Sequence, residues 1–198
     1  MSETTGLTRA GALEAALLAG AGAIVGGILI AGLPEGAASK PSARQDAEIL
    51  SFALTLEYVQ AGFYAEALRR GALKGELREF ARTVGGHEQE HIAFIRSALK
   101  NKARPAPPLD FGEDTATPEA FQRTALKLED LGIKAYDAQA PNLTSGALAA
   151  AARIVSVEAR HAAWIRGIAG LLPAPYPAEP TIGARRVVET LQGSGFLR

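Results

Sequence analysis

The sequence predicts an all-α protein built around a four-helix bundle. Long segments repeat apolar residues every three or four positions, which is the period of a helix with one buried face. Glycine and proline cluster between these segments, and aromatic residues make up only 6% of the chain. With 198 residues, 47% of them hydrophobic, the chain can bury one sizeable core. We therefore expect an N-terminal segment and linker over residues 1–41, the bundle over residues 42–170 and a C-terminal extension over residues 171–198.

Charge and cysteine content exclude several classes of function. Lysine and arginine together number 21, and aspartate and glutamate also number 21. Because no net charge attracts phosphates, we expect no nucleic-acid partner. The absence of cysteine excludes disulfides, thiolate metal sites and thiol catalysis.

The N-terminal segment predicts export or membrane anchoring. Residues 15–32 carry no charge and are long enough to cross most of a bilayer as a helix. Arg9 precedes them, and the small residues at 36–39 suit cleavage by a signal peptidase. We expect a protein exported to the cell envelope or periplasm, or anchored in the membrane through residues 15–32. A disordered tail rich in alanine and glycine is the alternative, and elsewhere we expect no membrane contact.

Two helices are predicted in the first half of the bundle sequence. Ser42, with Gln45 three residues later, forms a capping box that opens the first helix, which ends near Gly71. The second helix covers about residues 74–100 and stops before a run of prolines.

Two more helices follow. Thr117 caps the third, and Pro118 occupies its first position, where the missing amide hydrogen costs no hydrogen bond. The fourth covers about residues 145–170 and ends before a proline-rich extension, in which we expect a short helix over residues 182–191. The first and last pairs have short joints and form antiparallel hairpins, whereas residues 101–116 make a long crossover between the second and third helices.

Each predicted helix places a carboxylate on its apolar stripe, and two helices add a histidine one turn later. Four buried carboxylates need compensation, which two divalent cations with a total charge of +4 would supply. Carboxylate oxygen and imidazole nitrogen suit iron or manganese, and one Glu from each of two helices with Glu-x-x-His from the other two is a known dimetal ligand set. The predicted ligands are Glu57, Glu88, His91, Glu129, Glu158 and His161.

The spacing of the four glutamates predicts that they share one layer. Glu57 and Glu88 are equally distant from the turn after Gly71, and Glu129 and Glu158 are equally distant from the second hairpin turn. Residues equally far from the turn of an antiparallel hairpin lie at the same height.

An internal repeat supports a symmetric site. The motif LTLE at residues 54–57, with Tyr64 seven residues after its Glu, recurs as LKLE at residues 126–129 with Tyr136. The motif EQEHIAFIR at residues 88–96 recurs as EARHAAWIR at residues 158–166. Two similar hairpins related by a pseudo-twofold axis would build a two-metal site. Tyr64 and Tyr136 are expected to fill the core beside the ligands with their hydroxyls near a carboxylate, and a redox role is the alternative.

At four segments the chain resembles a bacterial ferritin-like family sometimes called desiccation-related. These segments read LTLEYVQAGFY, HEQEHIAFIR, LEDLGIKAY and VEARHAAWIR. The resemblance covers about residues 44–170 and implies a ferritin-like bundle, often in an exported protein. The chain does not resemble the cage-forming ferritins, whose sites use a less symmetric ligand set.

The expected function is a dimetal redox protein. Two iron or manganese ions, bridged by Glu88 and Glu158, would react with oxygen or peroxide as a ferroxidase or an oxidase. No catalytic residue beyond the metal site and no organic cofactor are expected, and a homo-oligomer is possible. The alternatives are a non-catalytic metal-binding or desiccation-related envelope protein, and a zinc hydrolase using the HExxH motif at residues 87–91.

Two smaller features also carry expectations. Gly85 and Gly86, inside the second helix, indicate either a kink or a close contact with another helix. Arg96 and Arg166, five residues after each histidine, are expected to cover the exterior.

Overall fold

A computed structural model of the chain describes residues 40–197, Leu33, and four residues further towards the N-terminus. Those four form two short antiparallel strands, β1 (Ile24–Val25) and β2 (Ile28–Leu29), with Ile24 opposite Leu29. The rest of the segment predicted to direct export lies outside the described residues, and that prediction stays open. No helix in the described part of the chain is both long and apolar enough to span a bilayer. The described residues form five α-helices: α1 (Ala43–Arg70), α2 (Gly75–Leu99), α3 (Pro118–Gln139), α4 (Ser145–Ile168) and α5 (Ala184–Gly193).

The helix ends follow the sequence signals closely. The Ser42 hydroxyl accepts a hydrogen bond from the Gln45 amide at 3.3 Å, which caps α1. Gly71 ends the same helix with a φ of 75°, a left-handed conformation that glycine adopts without strain. The Thr117 hydroxyl caps α3 by accepting from the Ala120 amide at 3.2 Å.

Helices α1 and α2 pack as one antiparallel hairpin, and α3 and α4 pack as the other. Contacts of α1 with α3 and of α2 with α4 join the hairpins into the predicted all-α bundle. The crossover between them contains two short 3-10 turns, Lys100–Lys102 and Gly112–Thr115. This arrangement confirms the ferritin-like topology with one long connection.

The C-terminal extension closes one side of the bundle. On α5, Val187, Val188 and Leu191 are buried. The Phe196 ring lies 5.3 Å from the Phe111 ring of the crossover, and the Asp110 amide donates to the Phe196 carbonyl at 3.1 Å. The short helix predicted in this extension is therefore present and packed.

Arg166 corrects one expectation. The side chain is buried rather than exterior, donating to the Asp130 carboxylate and, at 3.3 Å, to the Pro173 carbonyl. The chain after α4 turns back over the guanidinium, a long-range contact that helical periodicity does not reveal. Arg96, by contrast, is exposed as expected and donates to the Tyr58 hydroxyl at 2.7 Å.

Gly85 marks a close helix contact. A β-carbon at this position would lie 3.0 Å from the Tyr64 β-carbon, whereas a β-carbon at Gly86 would meet nothing within 4 Å. The absence of a side chain at Gly85 therefore lets α2 approach α1 beside Tyr64.

The two glycines provide a matched test of this contact. We expect Gly86→Ala to raise the free energy of unfolding by roughly 0.5–1 kcal/mol, because alanine favours a helix over glycine. Gly85→Ala should gain less or lose stability, since its methyl group presses on Tyr64. Urea unfolding of the two variants measures the difference, and equal stabilisation would contradict the close contact.

Candidate metal centre

The six predicted ligands meet in the middle of the bundle. All four glutamates have 0% exposure, and the histidines have 8% and 3%. Helices α1 and α3 contribute one glutamate each, and α2 and α4 each contribute a glutamate and the histidine one turn later. The equal distances from the hairpin turns explain why side chains from four helices reach a common depth. In order, the residues are Glu57, Glu88, His91, Glu129, Glu158 and His161.

His91 stands at the centre of one group of carboxylates. Its Nδ1 atom lies 3.2 Å from Glu57 Oε2, 3.0 Å from Glu88 Oε2 and 3.0 Å from Glu158 Oε1. One ligand atom from each of these four residues lies within 4.8 Å of the others, so the group can hold a metal ion.

His161 stands at the centre of a second group. Its Nδ1 atom lies 3.3 Å from Glu88 Oε1, 3.4 Å from Glu129 Oε2 and 3.8 Å from Glu158 Oε2. These four residues also bring ligand atoms within 4.8 Å of one another. Glu88 and Glu158 belong to both groups, whereas Glu57 and Glu129 each belong to one.

Several ligand atoms lack hydrogen-bond partners, which fits a metal site. Among the described residues, the unpaired buried polar atoms include Glu88 Oε1, Glu129 Oε2, Glu158 Oε1 and His161 Nδ1. Unpaired buried polar atoms are costly and rare, and here they face one another across the centre. Divalent cations would satisfy all of them, so the donor set fits the expected metals.

Two tyrosines tie the hairpins together at this layer. The Tyr64 hydroxyl, on α1, donates to Glu129 on α3. The Tyr136 hydroxyl, on α3, donates to Glu57 on α1 at 2.5 Å. Each hydroxyl lies against a carboxylate as expected, with the Tyr64 ring fully buried and the Tyr136 ring partly buried.

Sequence reasoning missed Gln60. This buried side chain, one turn after Glu57, directs its Nε2 atom at Glu129 Oε1, 3.3 Å away, and at Glu158 Oε2, 3.5 Å away. The signal was available, since a glutamine three residues after a ligand lies on nearly the same helix face.

His87 contacts one of the predicted ligands but is not itself part of either ligand group. Its Nδ1 atom lies 2.8 Å from His161 Nε2, and the two rings stack with centroids 5.1 Å apart. Within the described residues, neither four-residue group includes His87. The two histidines of the HExxH motif face different partners, so the geometry gives the hydrolase interpretation no support.

Glu57, Glu88 and Glu129 have strongly shifted pKa values. Burial raises the pKa of Glu57 well above its usual range, and the charges of Glu158 and Glu88 raise it further while His91 opposes them. Burial likewise raises the pKa of Glu129 to about 7. Burial also opposes ionisation of Glu88, but the adjacent imidazoles of His161 and His91 outweigh it and lower the pKa of Glu88 to about 2.

The histidines shift in the opposite sense from simple buried imidazoles. Burial disfavours their charged form, but the close approach of the surrounding carboxylates outweighs it. The pKa of His91 rises to about 12 and that of His161 to about 11. In the metal-free protein both imidazoles are therefore charged at neutral pH, and a metal ion must displace their protons.

A cavity of about 550 Å³ opens near the centre, although none of the six ligands is part of its lining. It lies between α1, α2 and α4, and its lining includes the exposed Lys100 and Lys102. Tyr136, which contacts Glu57, is also part of the lining. The cavity therefore reaches the tyrosine that holds one of the unshared glutamates.

Together, the bundle topology and the buried glutamate–histidine groups define a helical-bundle protein with a centre that can hold metal ions. The sequence model of a protein family, the ferritin-like domain, matches residues 45–171 of this chain. The chain belongs to this ferritin-like domain family, and the match covers all six predicted ligands. Comparison with curated protein sequences finds no significant match.

The shifted pKa values predict an unusual pH dependence for the metal-free protein. The pKa values of both histidines lie above the ordinary value of 6.5, so their stabilisation is complete below about pH 6.5 and is lost as pH rises towards 11 or 12. The contribution of Glu129 is lost between its ordinary 4.5 and about 7. We expect the free energy of unfolding to fall by about 1 kcal/mol or more per pH unit between pH 5 and pH 9.

Urea unfolding at pH 5, 7 and 9 in the presence of a chelator measures this slope. Saturating Mn²⁺ is the control, because metal binding becomes more favourable as the ligands lose protons and should oppose the decline. A metal-free protein that becomes more stable from pH 5 to pH 9 would contradict the assignment.

Proposed function

We propose that this protein is a dimetal-carboxylate oxidoreductase that binds two iron or manganese ions and reacts with oxygen or peroxide. The observation that carries the proposal is the pair of four-residue groups that share Glu88 and Glu158. Two sites with two shared carboxylates suit two neighbouring ions better than one. Activity on Fe²⁺ itself would make the protein ferroxidase-like, and activity on a small molecule would make it an oxidase or oxygenase.

Each ligand has a distinct role in this proposal. Glu88 and Glu158 would be shared by the two ions, Glu57 and Glu129 would each hold one ion as terminal ligands, and each ion would take one histidine. Four carboxylates at −4 balance two divalent ions at +4, which removes the electrostatic cost of burying either set alone. Oxygen and nitrogen donors without thiolates favour iron or manganese.

The remaining residues of the centre orient the ligands and limit the access of water. The Tyr64 and Tyr136 hydroxyls each donate to a terminal glutamate, which holds that carboxylate in one orientation. The bound ions would supply the redox change and the Lewis acidity that these side chains lack. The cavity beside Tyr136 offers a route for a small substrate.

A non-catalytic role is the second candidate. It is favoured by the complete burial of all four glutamates, because a sealed site can bind metal solely to stabilise the bundle. The desiccation-related resemblance and an exported or anchored location belong to this candidate as much as to the first, and both stay predictions.

Metal content is the first test. We expect about two iron or manganese ions per chain by elemental analysis of protein loaded with Fe²⁺ or Mn²⁺. Glu88→Ala should abolish most of the binding because it removes a shared ligand, whereas Glu57→Ala and Glu129→Ala should each leave about one ion. Glu90→Ala, two residues from Glu88 but exposed, is the matched control and should leave the content unchanged. A single zinc ion would support the hydrolase, and no bound metal would refute the proposal.

Oxygen consumption is the second test. We expect protein loaded anaerobically with Fe²⁺ to consume oxygen and develop the absorbance of ferric iron. In the Glu88→Ala variant, the rate of oxygen consumption should fall to that of free Fe²⁺. An oxygen electrode and a near-ultraviolet spectrum measure both. Bound iron that stays ferrous in the presence of oxygen and of peroxide would favour the non-catalytic role.

A further inference from the structure

The two halves of the metal centre differ in the residues beside the ligands. In the first hairpin Gln60 stands three residues after Glu57, and the corresponding residue after Glu129 in the second hairpin is Gly132. His87 immediately precedes Glu88, and the residue immediately before Glu158 is Val157. Glycine and valine side chains form no hydrogen bonds, so the repeat is broken at two positions that could contact ligands.

Gln60 and Gly132 act together. A β-carbon at position 132 would make an ordinary van der Waals contact with the Gln60 Oε1 atom, at 3.5 Å, so a small residue fits here while a larger side chain would crowd the Gln60 amide between the hairpins. From there the amide donates to Glu129 at 3.3 Å and lies 3.5 Å from Glu158. The small residue on one helix therefore accommodates the extra hydrogen bond from the other.

Both additional partners fall on the same half of the centre. Gln60 contacts Glu129. The His87 Nδ1 atom lies 2.8 Å from His161 Nε2, and the Nδ1 atom of His161 faces the carboxylates. Glu129 and His161 are the two ligands that belong only to the second group. Outer hydrogen bonds that fix the orientation of metal ligands typically strengthen binding by about 10- to 100-fold.

Solvent access differs in the opposite direction. Tyr64, which holds Glu129, has 0% exposure and packs among aromatic rings, including Phe80 at 5.8 Å and Phe121 at 5.9 Å. Tyr136, which holds Glu57, is only partly buried and lines the 550 Å³ cavity. Judged by its tyrosine and by its histidine, which is 8% exposed against 3% for His161, the half with fewer partners is the half nearer to solvent.

We propose that the two metal positions are inequivalent: the Glu129–His161 position retains its ion, and the Glu57–His91 position, beside the cavity, exchanges its ion with solvent. Gln60 and His87 are the positioning residues that create the difference. This inference rests on the proposed function, because it requires two bound ions.

Stepwise titration of metal-free protein with Mn²⁺, followed by calorimetry and by the metal retained after gel filtration, tests the inference. We expect two binding steps whose Kd values differ at least ~10-fold. Glu129→Ala should remove the tighter step and Glu57→Ala the weaker one. His87→Val, which introduces the residue found in the other half, and Gln60→Ala should each weaken the tighter step by ~10-fold and leave the weaker step unchanged. Val157→Ala is the matched control and should alter neither.

The outcomes separate this inference from the proposed function. Two ions bound with equal affinity, or loss of the tighter step in Glu57→Ala, would overturn the inequivalence while leaving a dimetal centre. A wild-type isotherm for both His87→Val and Gln60→Ala would also overturn it, since neither residue would then affect the affinity for metal. A protein that binds no Mn²⁺ or Fe²⁺ at all would instead refute the dimetal proposal itself.

Discussion

Four glutamates without solvent contact, held in one layer of a helical bundle, are the constraint on which the rest of this structure depends. An unpaired buried carboxylate costs several kcal/mol, and like charges at this distance add to that cost. Two histidines, two tyrosine hydroxyls and one glutamine amide reduce it. Several ligand atoms nevertheless remain unpaired. Bound cations would satisfy these atoms, and metal binding and folding stability would then be coupled in this protein.

The fold serves this constraint through two similar hairpins. Each hairpin contributes one terminal glutamate and one Glu-x-x-His pair at equal distances from its turn. The tyrosine of each hairpin reaches the terminal glutamate of the other, so the layer that carries the ligands also holds the hairpins together. Gly85 contributes by letting α2 lie close to Tyr64, which keeps that ring and its hydroxyl in place.

The two halves of the centre differ where the internal repeat is not conserved between the hairpins. The half containing Glu129 and His161 has additional polar partners and a tyrosine packed among aromatic rings, and the half containing Glu57 and His91 has a tyrosine that lines a cavity. A centre with one firmly held ion and one accessible ion can separate retention of metal from exchange or reaction. A symmetric pair of hairpins could not make this distinction, so the proposed inequivalence assigns Gln60 and His87 a role in function rather than in folding.

The sequence by itself determined the helices, their caps, the depth of the four glutamates and the identity of the expected ligands. These properties depend on local periodicity and on distance from a turn, which can be read along one chain. Tertiary structure alone decided the position of Arg166, the contacts of Gln60 and His87, and the cavity beside Tyr136. Each of these depends on which side chain of a distant helix or tail lies opposite. Helical periodicity indicates the face on which a residue lies, but only the packed bundle shows what that face meets.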